Sequence, residues 1–384
     1  MNTFFADLHI HIGRNKFGKP VKITGSKSLT ITNVLKEASE RKGMDLVGVI
    51  DCHAPAVLSE LEDAIQDQMA VELEEGGVRY QNTTLLLGSE IEIYDNHCRG
   101  PIHVLCYFPT INKMKQFSQW LVGKMRNLEL SSQRFYGGEA VELQRTVKEL
   151  DGLFIPAHIF TPFKSLYGKG VHRSLKEVLD PSLIDAIELG LSSDTQMADQ
   201  IKELHEYPFL SNSDAHSLAK IGREYQQLQM KAANFDEWYK ALRNVDGRKI
   251  IANYGLNPKL GKYHNTVCKE CLSPIKETPC PHCGATSMIK GVADRIMELS
   301  SNGESPERPP YIYQVPLEYV PGLGRKTFEK LLDHFGNEMN IIHFVEKNDL
   351  IDVVGEKIAN SIINIRKGKV EIITGGGGRY GKIT

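Results

Sequence analysis

The sequence predicts an α/β fold, and three observations predict it. Short apolar runs recur through residues 1–256, and amphipathic stretches of helical period lie between several of them. Residues able to do acid–base or metal chemistry close those runs. Strands alternating with helices imply βα units around a largely parallel sheet, wound either as a barrel or as a doubly wound sheet. Both folds gather their sites at the carboxyl ends of the strands.

Each element follows in order. TFFADLHIHI reads as the first strand, with Asp7, His9 and His11 near its end. SLTITNVLKEASERKG reads as a helix, and MDLVGVID as a strand closed by Asp51 and followed by His53. APAVLSELEDAIQDQMAVELEE has helical period; TTLLLGSEIEI is a strand bearing Glu90 and Glu92, and PIHVLCYF one bearing His103. GLFIPAHI ends on His158, LIDAIELGL is another apolar run, and FLSNSD leads into Asp214 and His216. A second unit, 257–297, holds four cysteines, and 298–310 is a polar Pro/Gly/Ser linker or loop. The last unit, 311–384, is helical until a glycine-rich tail.

Composition sets the outer bounds. At 41% hydrophobic and 24% charged residues, the 384-residue chain is neither disordered nor collagen-like. It has no apolar run of about 18 residues, so no membrane span is expected. The first twenty residues lack the apolar segment of a signal peptide, which predicts a cytoplasmic protein. The net charge of −2 averages unlike regions. The last 22 residues carry Arg366, Lys367, Lys369, Arg379 and Lys382 against the single acid Glu371.

Two metal chemistries stand out. Alternation in a strand puts His9 and His11 on one side, about 7 Å apart along the chain. Alone, such a pair is more often a surface or core feature. Repetition argues otherwise, because His9, His11, Asp51, His53, Glu90, His103, His158, Asp214 and His216 all end or follow apolar runs of one domain. Imidazoles and carboxylates ligate divalent cations, and nine such groups exceed one tetrahedral shell, so two or three ions (Zn²⁺, Mn²⁺ or Mg²⁺) are expected. Cys268, Cys271, Cys280 and Cys283 form CxxC-x8-CxxC, whose four thiolates fill a tetrahedral shell and predict a structural Zn²⁺.

The C-terminal unit carries Val320-Pro-Gly322-Leu-Gly324-Arg325-Lys326 ahead of a helix, and Gly355-Glu-Lys357 about thirty residues later. Glycine turns before helix N-termini expose N–H groups to phosphates. The pair resembles a tandem helix-hairpin-helix module, which implies either a grip on the DNA backbone or a protein scaffold.

DLHIH, GSEIE, the His103 strand, PAH at 156–158 and NSDAH at 212–216 resemble, in order, the motifs of the polymerase-and-histidinol-phosphatase (PHP) family. The resemblance implies a distorted seven-stranded βα barrel that hydrolyses phosphoesters at a three-metal centre. It puts His9 and His11 on the first ligand pair, Glu90 on the metal-bridging carboxylate, His103 and His158 on single ligands, and Asp214 and His216 on the closing pair. His9, His11, Glu90 and Asp214 are then the catalytic set. Gly13-Arg14-Asn15-Lys16 replaces a frequent Asp ligand, and Ile50-Asp51-Cys52-His53 replaces Thr-Asp-His, which leaves the choice between Asp51 and His53 open. Arg14 is a candidate phosphate contact or a plain surface charge.

The order of barrel, double CxxC, helix-hairpin-helix unit and GGGGRYGKI ending resembles the endonuclease Q family of DNA repair nucleases. That resemblance implies a metal-activated water cutting 5′ of a flipped-out hypoxanthine, uracil or xanthine nucleotide or abasic site, leaving 3′-hydroxyl and 5′-phosphate ends. It makes DNA the partner, with Arg325, Lys326, Lys357, Arg379 and Tyr380 as candidate contacts, a nucleoid-associated location, and a sliding clamp as a candidate second partner. A small-molecule phosphatase and a non-catalytic DNA scaffold are the alternatives.

Overall fold

The computed structural model describes residues 1–301 and 303–368, with the backbone of 372–373 and 382–383. Arg379 and Tyr380 lie outside the described residues. In chain order come β1 (Asn2–Ile10), α1 (Ile31–Lys36), β2 (Leu46–Val49), α2 (Pro55–Gln66), β3 (Val71–Glu72) and β4 (Val78–Tyr80). Next are β5 (Thr83–Ile93), β6 (Ile102–Phe108), α3 (Ile111–Leu121), α4 (Ala140–Glu149) and β7 (Leu153–Pro156). After them come β8 (Ile187–Glu188), α5 (Thr195–Ala198), β9 (Phe209–Leu210), β10 (Tyr225–Met230), α6 (Phe235–Leu242) and β11 (Lys249–Gly255). The cysteine lobe supplies β12 (Val267–Cys268) and β13 (Met288–Ile289), followed by α7 (Val292–Leu299) and β14 (Tyr311–Tyr313). Four helices follow: α8 (Arg325–Phe335), α9 (Glu338–His343), α10 (Lys347–Val354) and α11 (Glu356–Arg366).

The central strands read as unbroken apolar runs because both of their faces are covered. Every residue of β5 and β6 is buried. Ladder pairing runs β14–β11–β10–β1–β2–β5, with β6 and then β7 beyond β5, and β4 and β3 also reached from β5. The sheet is mixed, where the sequence had suggested a largely parallel one. β1–β2 and β2–β5 are parallel, but β5–β6, β6–β7, β1–β10 and β10–β11 are antiparallel. Only residues 94–101 join β5 to β6, too few for the crossover a parallel neighbour requires.

The α/β class, the four-cysteine cluster and the C-terminal helices are present as expected. The ladders of the described residues do not close into a ring. β8 and β9 pair with each other in parallel. A few backbone bonds bridge the flanking gaps: Asp185 N–H to the Phe154 carbonyl (3.0 Å) and Ile159 N–H to the Glu188 carbonyl (3.0 Å) beside β7, and Ala215 N–H to the His9 carbonyl (3.0 Å) and His11 N–H to the Ala215 carbonyl (3.1 Å) beside β1. At the centre β1 and β2 approach so closely that a Cβ on Gly48 would stand 2.3 Å from the Leu8 carbonyl oxygen.

Two expected segments differ in extent. The helical pattern from residue 54 stops at Gln66, because Gln68 turns left-handed (φ 59°) and the chain enters β3. The boundary at 311 falls inside the main sheet, since β14 pairs in parallel with β11 (Tyr254 opposite Ile312). The linker is tied down as well. Arg308 bonds Asp199 Oδ1 (3.0 Å) and the Leu204 carbonyl (3.1 Å) and lies over the Phe209 ring. The last helices dock on the sheet through α9, where the His343 ring stacks on Phe5 at 4.6 Å and accepts the Tyr225 hydroxyl at 2.8 Å. No helix among the described residues is long and apolar enough to cross a membrane.

Candidate metal centre

β1 delivers His9 and His11 to one side of the sheet, as alternation requires, and both rings are fully buried. β5 brings Glu90 opposite them, and β6 adds His103. His158 follows β7, while Asp214 and His216 follow β9. His158 (φ 30°) and Asp214 (φ 46°) both hold the left-handed backbone region that side chains avoid. Such local strain collects at functional sites.

These seven residues form three overlapping groups: His9, His11 and Glu90; His11, Asp214 and His216; and Glu90, His103 and His158. Within each group the candidate ligand atoms lie within 4.8 Å of one another. Glu90 Oε1 faces His103 Nδ1 (2.9 Å), His158 Nε2 (3.3 Å) and His9 Nε2 (3.6 Å). Its Oε2 lies 3.7 Å from His11 Nε2. Asp214 Oδ1 is 3.5 Å from both His9 Nε2 and His11 Nε2.

The donor set fits divalent cations. His9 Nδ1 donates to Glu188 Oε1 (2.9 Å), and His11 Nδ1 donates to Asp51 Oδ2 (3.2 Å). Those bonds fix the tautomer and leave each Nε2 lone pair aimed into the centre. His9 Nε2, His11 Nε2 and His103 Nε2 are buried with no hydrogen-bond partner, a costly arrangement for the protein alone.

The electrostatics agree. Burial opposes charge on His9, but Glu188 and Asp214 outweigh it and hold the ring's proton affinity well above the ordinary imidazole range, so a metal at Nε2 would displace a proton. Burial also works against ionised Glu90, yet His103 and Lys22 keep its carboxyl well below the usual carboxylate range. Burial likewise opposes ionised Asp214, and His9 and its neighbours keep it well below that range. His216 is driven by burial down to about 4, so its ring is neutral and able to ligate.

Asp51 and His53 are not brought into any of the three groups. Asp51 Oδ2 accepts the Ile12 N–H (2.7 Å) and holds the back of His11. His53 Nδ1 bonds Ser89 Oγ (2.8 Å) and its Nε2 faces the Leu130 carbonyl (3.4 Å). Glu92 pairs with Arg134 (2.8 Å) and Lys164 (2.9 Å). Arg14 donates to the Gly13 carbonyl and lines an open depression with Asn15, Lys16 and Lys27, apart from the cavity at Asp214.

Sequence reading missed Glu188, Lys22 and Ser131. Glu188 lies inside the apolar run LIDAIELGL, which continues past it to Leu191 and so gave no end-of-run signal. Lys22 and Ser131 sit in loops without periodicity. Lys22 Nζ contacts Glu90 Oε2 at 3.2 Å, and Ser131 Oγ contacts His11 Nδ1 at 3.1 Å. A cavity of about 500 Å³ opens beside the centre, lined in part by His158, Glu188, Asn212, Asp214, His216 and Arg223.

The four cysteines converge as their spacing predicts. Thiolates about 2.3 Å from one Zn²⁺ stand about 3.8 Å apart. The observed Sγ–Sγ separations are 3.5 Å for Cys268–Cys283 and 3.6 Å for Cys271–Cys280. Hydrogen bonds from Ser273 pull the Cys271 thiol down to about 6, towards the thiolate a metal needs. In the C-terminal unit Gly322 (φ 83°) and Gly355 (φ 80°) turn left-handed. Gly324 caps α8, and Arg325, Lys326 and Lys357 are exposed beside these turns.

A family model described as PHP-associated matches residues 193–245. The protein YqxK of Bacillus subtilis is 56% identical over the full length of both chains. MJ0043 of Methanocaldococcus jannaschii is 41% identical over 253 residues, which are 59% of this chain and 31% of that protein. The crystal structure of the lesion-specific endonuclease PfuEndoQ from Pyrococcus furiosus superposes with a TM-score of 0.86 at 34% identity, covering all of this chain and 95% of that one. Endonuclease Q in complex with a 27-mer duplex bearing an abasic lesion gives a TM-score of 0.85 at 34% identity, covering all of this chain and 96% of that one.

Proposed function

The chain belongs to the endonuclease Q family, and on that premise we propose that it is a metal-dependent DNA endonuclease of repair, cutting 5′ of deaminated bases and abasic sites. The reading rests on one observation above the rest: the unpartnered buried Nε2 atoms of His9 and His11 converge on Glu90 and Asp214 in a full-length relative of PfuEndoQ. Its substrates are DNA carrying hypoxanthine, uracil, xanthine or an abasic site, and its products carry a 3′-hydroxyl and a 5′-phosphate.

His9, His11, Glu90, His103, His158, Asp214 and His216 are the ligands, with Asp51 and Glu188 orienting the two β1 histidines from behind. Divalent ions held there supply an activated water at neutral pH and neutralise charge on the phosphodiester. The residues themselves fix geometry. Asn212 donates to Glu188 Oε1 (2.8 Å), which keeps that carboxylate turned to His9. The cavity beside Asp214 and His216 is the place for a nucleotide taken out of the stack, with Arg223 and Lys262 on its wall. A hydroxyl or backbone N–H there reads the carbonyl that deamination creates. Four thiolates hold a structural Zn²⁺, and the two glycine turns carry non-specific grip on the DNA backbone. The working units are 1–256 for chemistry, 257–297 for the zinc lobe, 298–310 as connection and 311–384 for DNA grip. The protein then acts in the cytoplasm, at the nucleoid.

The test is one labelled duplex series with matched, inosine, uracil and abasic positions, run with and without chelator. Lesion-dependent nicking that chelator abolishes is expected. Binding without any nicking in Mn²⁺, Mg²⁺ or Zn²⁺ overturns the reading, and turnover of p-nitrophenyl phosphate with DNA left intact replaces it with a small-molecule phosphoesterase.

A further inference from the structure

The most exposed large apolar side chain among the described residues is Ile23, at 71%. A lone apolar residue on a surface needs no explanation by itself. The setting of this one calls for a reason. Lys22 to Gly25 make a tight turn, closed by the Gly25 N–H on the Lys22 carbonyl (3.0 Å), with Ile23 and Thr24 at its corner. Both ends of the turn are fastened to backbone beside the candidate ligands. Lys22 N–H donates to the carbonyl of Ile12 (2.8 Å), next to His11, and Ser26 N–H donates to the His216 carbonyl (2.8 Å). Behind the turn the chain is packed so closely that Gly13 has no room for a Cβ against the Ser26 carbonyl. On one side of Ile23 the Lys22 ammonium reaches Glu90 Oε2 (3.2 Å); on the other, Thr24 lines the cavity beside Asp214 and His216. Corner positions of such turns favour proline or small polar residues. Turn chemistry therefore gives no reason for a β-branched apolar side chain here.

We infer that Ile23 is the wedge that fills the gap left in the DNA stack when a nucleotide turns into the cavity. This rests on the nuclease reading above and adds to it the residue that holds the duplex open. A nucleotide leaves the stack against the cost of unpairing and unstacking, and the vacated space closes again unless an apolar group occupies it. Ile23 suits that task in three ways. Its side chain is apolar, so it exchanges water for base faces at a gain. Branching at Cβ makes it stiff, and a turn tied at both ends cannot draw it back. It stands at the mouth of the cavity, so the base that leaves and the side chain that enters share one displacement. Ile23 is thus a positioning residue: it acts on the stack rather than on the bond that is cut. Its effect depends on there being a second strand to close against.

The experiment compares full-length wild type, I23A, I23S and I23L on an inosine-containing duplex and on the same inosine strand unpaired. On the duplex, I23A and I23S lose roughly tenfold in kcat/KM, and I23L recovers most of the loss. On the single strand all four stay within about twofold of one another. Equal losses on both substrates, or no loss on the duplex, overturn the proposal. A second readout needs no cutting. The adenine analogue 2-aminopurine, placed beside the inosine in the duplex, brightens when it is unstacked. At saturating protein, with Ca²⁺ present to hold off cutting, wild type and I23L raise the signal and I23A raises it clearly less. No rise with wild type, or an equal rise with I23A, counts against the wedge. Ile23 is exposed, so its truncation leaves the core untouched, and matching melting curves establish that each variant is folded. Unstacking without nicking sinks the nuclease reading and leaves the wedge standing; nicking that does not depend on Ile23 does the reverse.

Discussion

Asp51 belongs to none of the three candidate ligand groups, yet it accepts from both His11 Nδ1 and the Ile12 N–H. Carboxylates behind metal-bound histidines typically contribute 10–100-fold in metal affinity. D51N is therefore expected to need roughly 10–100-fold more Mn²⁺ for half-maximal nicking and to recover most of its rate at saturating metal. A metal titration of the rate checks this, and unchanged half-saturation refutes it. Glu224 makes a second prediction at this scale. Burial raises its carboxyl from 4.5 to about 8, and its Oε2 has no partner while Oε1 accepts the Leu256 N–H. A folded pKa above the unfolded one adds stability that is full below about 4.5 and is lost progressively as pH rises to about 8. E224Q, neutral throughout, is expected to flatten that slope in thermal melts between pH 5 and pH 8.5. The effect at the alkaline end is on the order of 4 kcal/mol.

Single residues were legible where they ended an apolar run, as His9, His11, His158 and Asp214 do. They were hidden where the run carried on past them, as at Glu188, or where a loop alone presents them, as at Lys22. Elements follow the same division. β5 and β6 were visible as strands, but their antiparallel pairing depends on the length of the 94–101 connection, which apolar patterning does not encode. Helix α9 gave no sign of what it packs on, because His343 finds Phe5 and Tyr225 only across some 340 and 120 residues of chain. Burial, with Arg366 adding to it, holds the His343 ring down at about 4. Its folded pKa lies below the ordinary 6.5, so its contribution is full above that value and fades as pH falls towards 4. H343A is expected to weaken docking of the last helices by about 2 kcal/mol at pH 7.5, lost ring stacking and a lost hydrogen bond together. Faster amide exchange confined to α9–α11 is the readout, and uniform loss of protection across the sheet contradicts it.

Across the whole molecule, the proposed reading puts chemistry and grip on separate parts that packing holds in one frame. The Arg41–Glu329 pair (2.8 Å) and the His343 contact tie α8 and α9 to the first domain. Arg325 and Lys326 are exposed and directly follow the turn at Gly322 and Gly324. R325A and K326A are each expected to weaken binding of matched and lesion duplexes equally, and to lower the salt slope of binding by about one unit. Single-turnover nicking at saturating DNA should stay near wild type. A selective loss for lesion DNA in binding titrations contradicts this. The four-cysteine cluster and the C-terminal helices were legible because each segment has its own residue alphabet: paired cysteine in one, glycine with lysine in the other. How the parts interlock was not, since β14 and Arg308 reach back to the first domain from segments that read as linker and terminus.

One bond described earlier bears on biosynthesis. Ala215 N–H meets the His9 carbonyl, and β1 lies between β2 and a β10 that begins at Tyr225. The first histidines to leave the ribosome thus wait for more than two hundred further residues before their neighbours exist. Contacts of such long sequence separation form slowly. A nascent or prematurely terminated chain ending before residue 214 carries five of the seven proposed ligands and lacks Asp214 and His216, so on this reading it has no complete cutting centre.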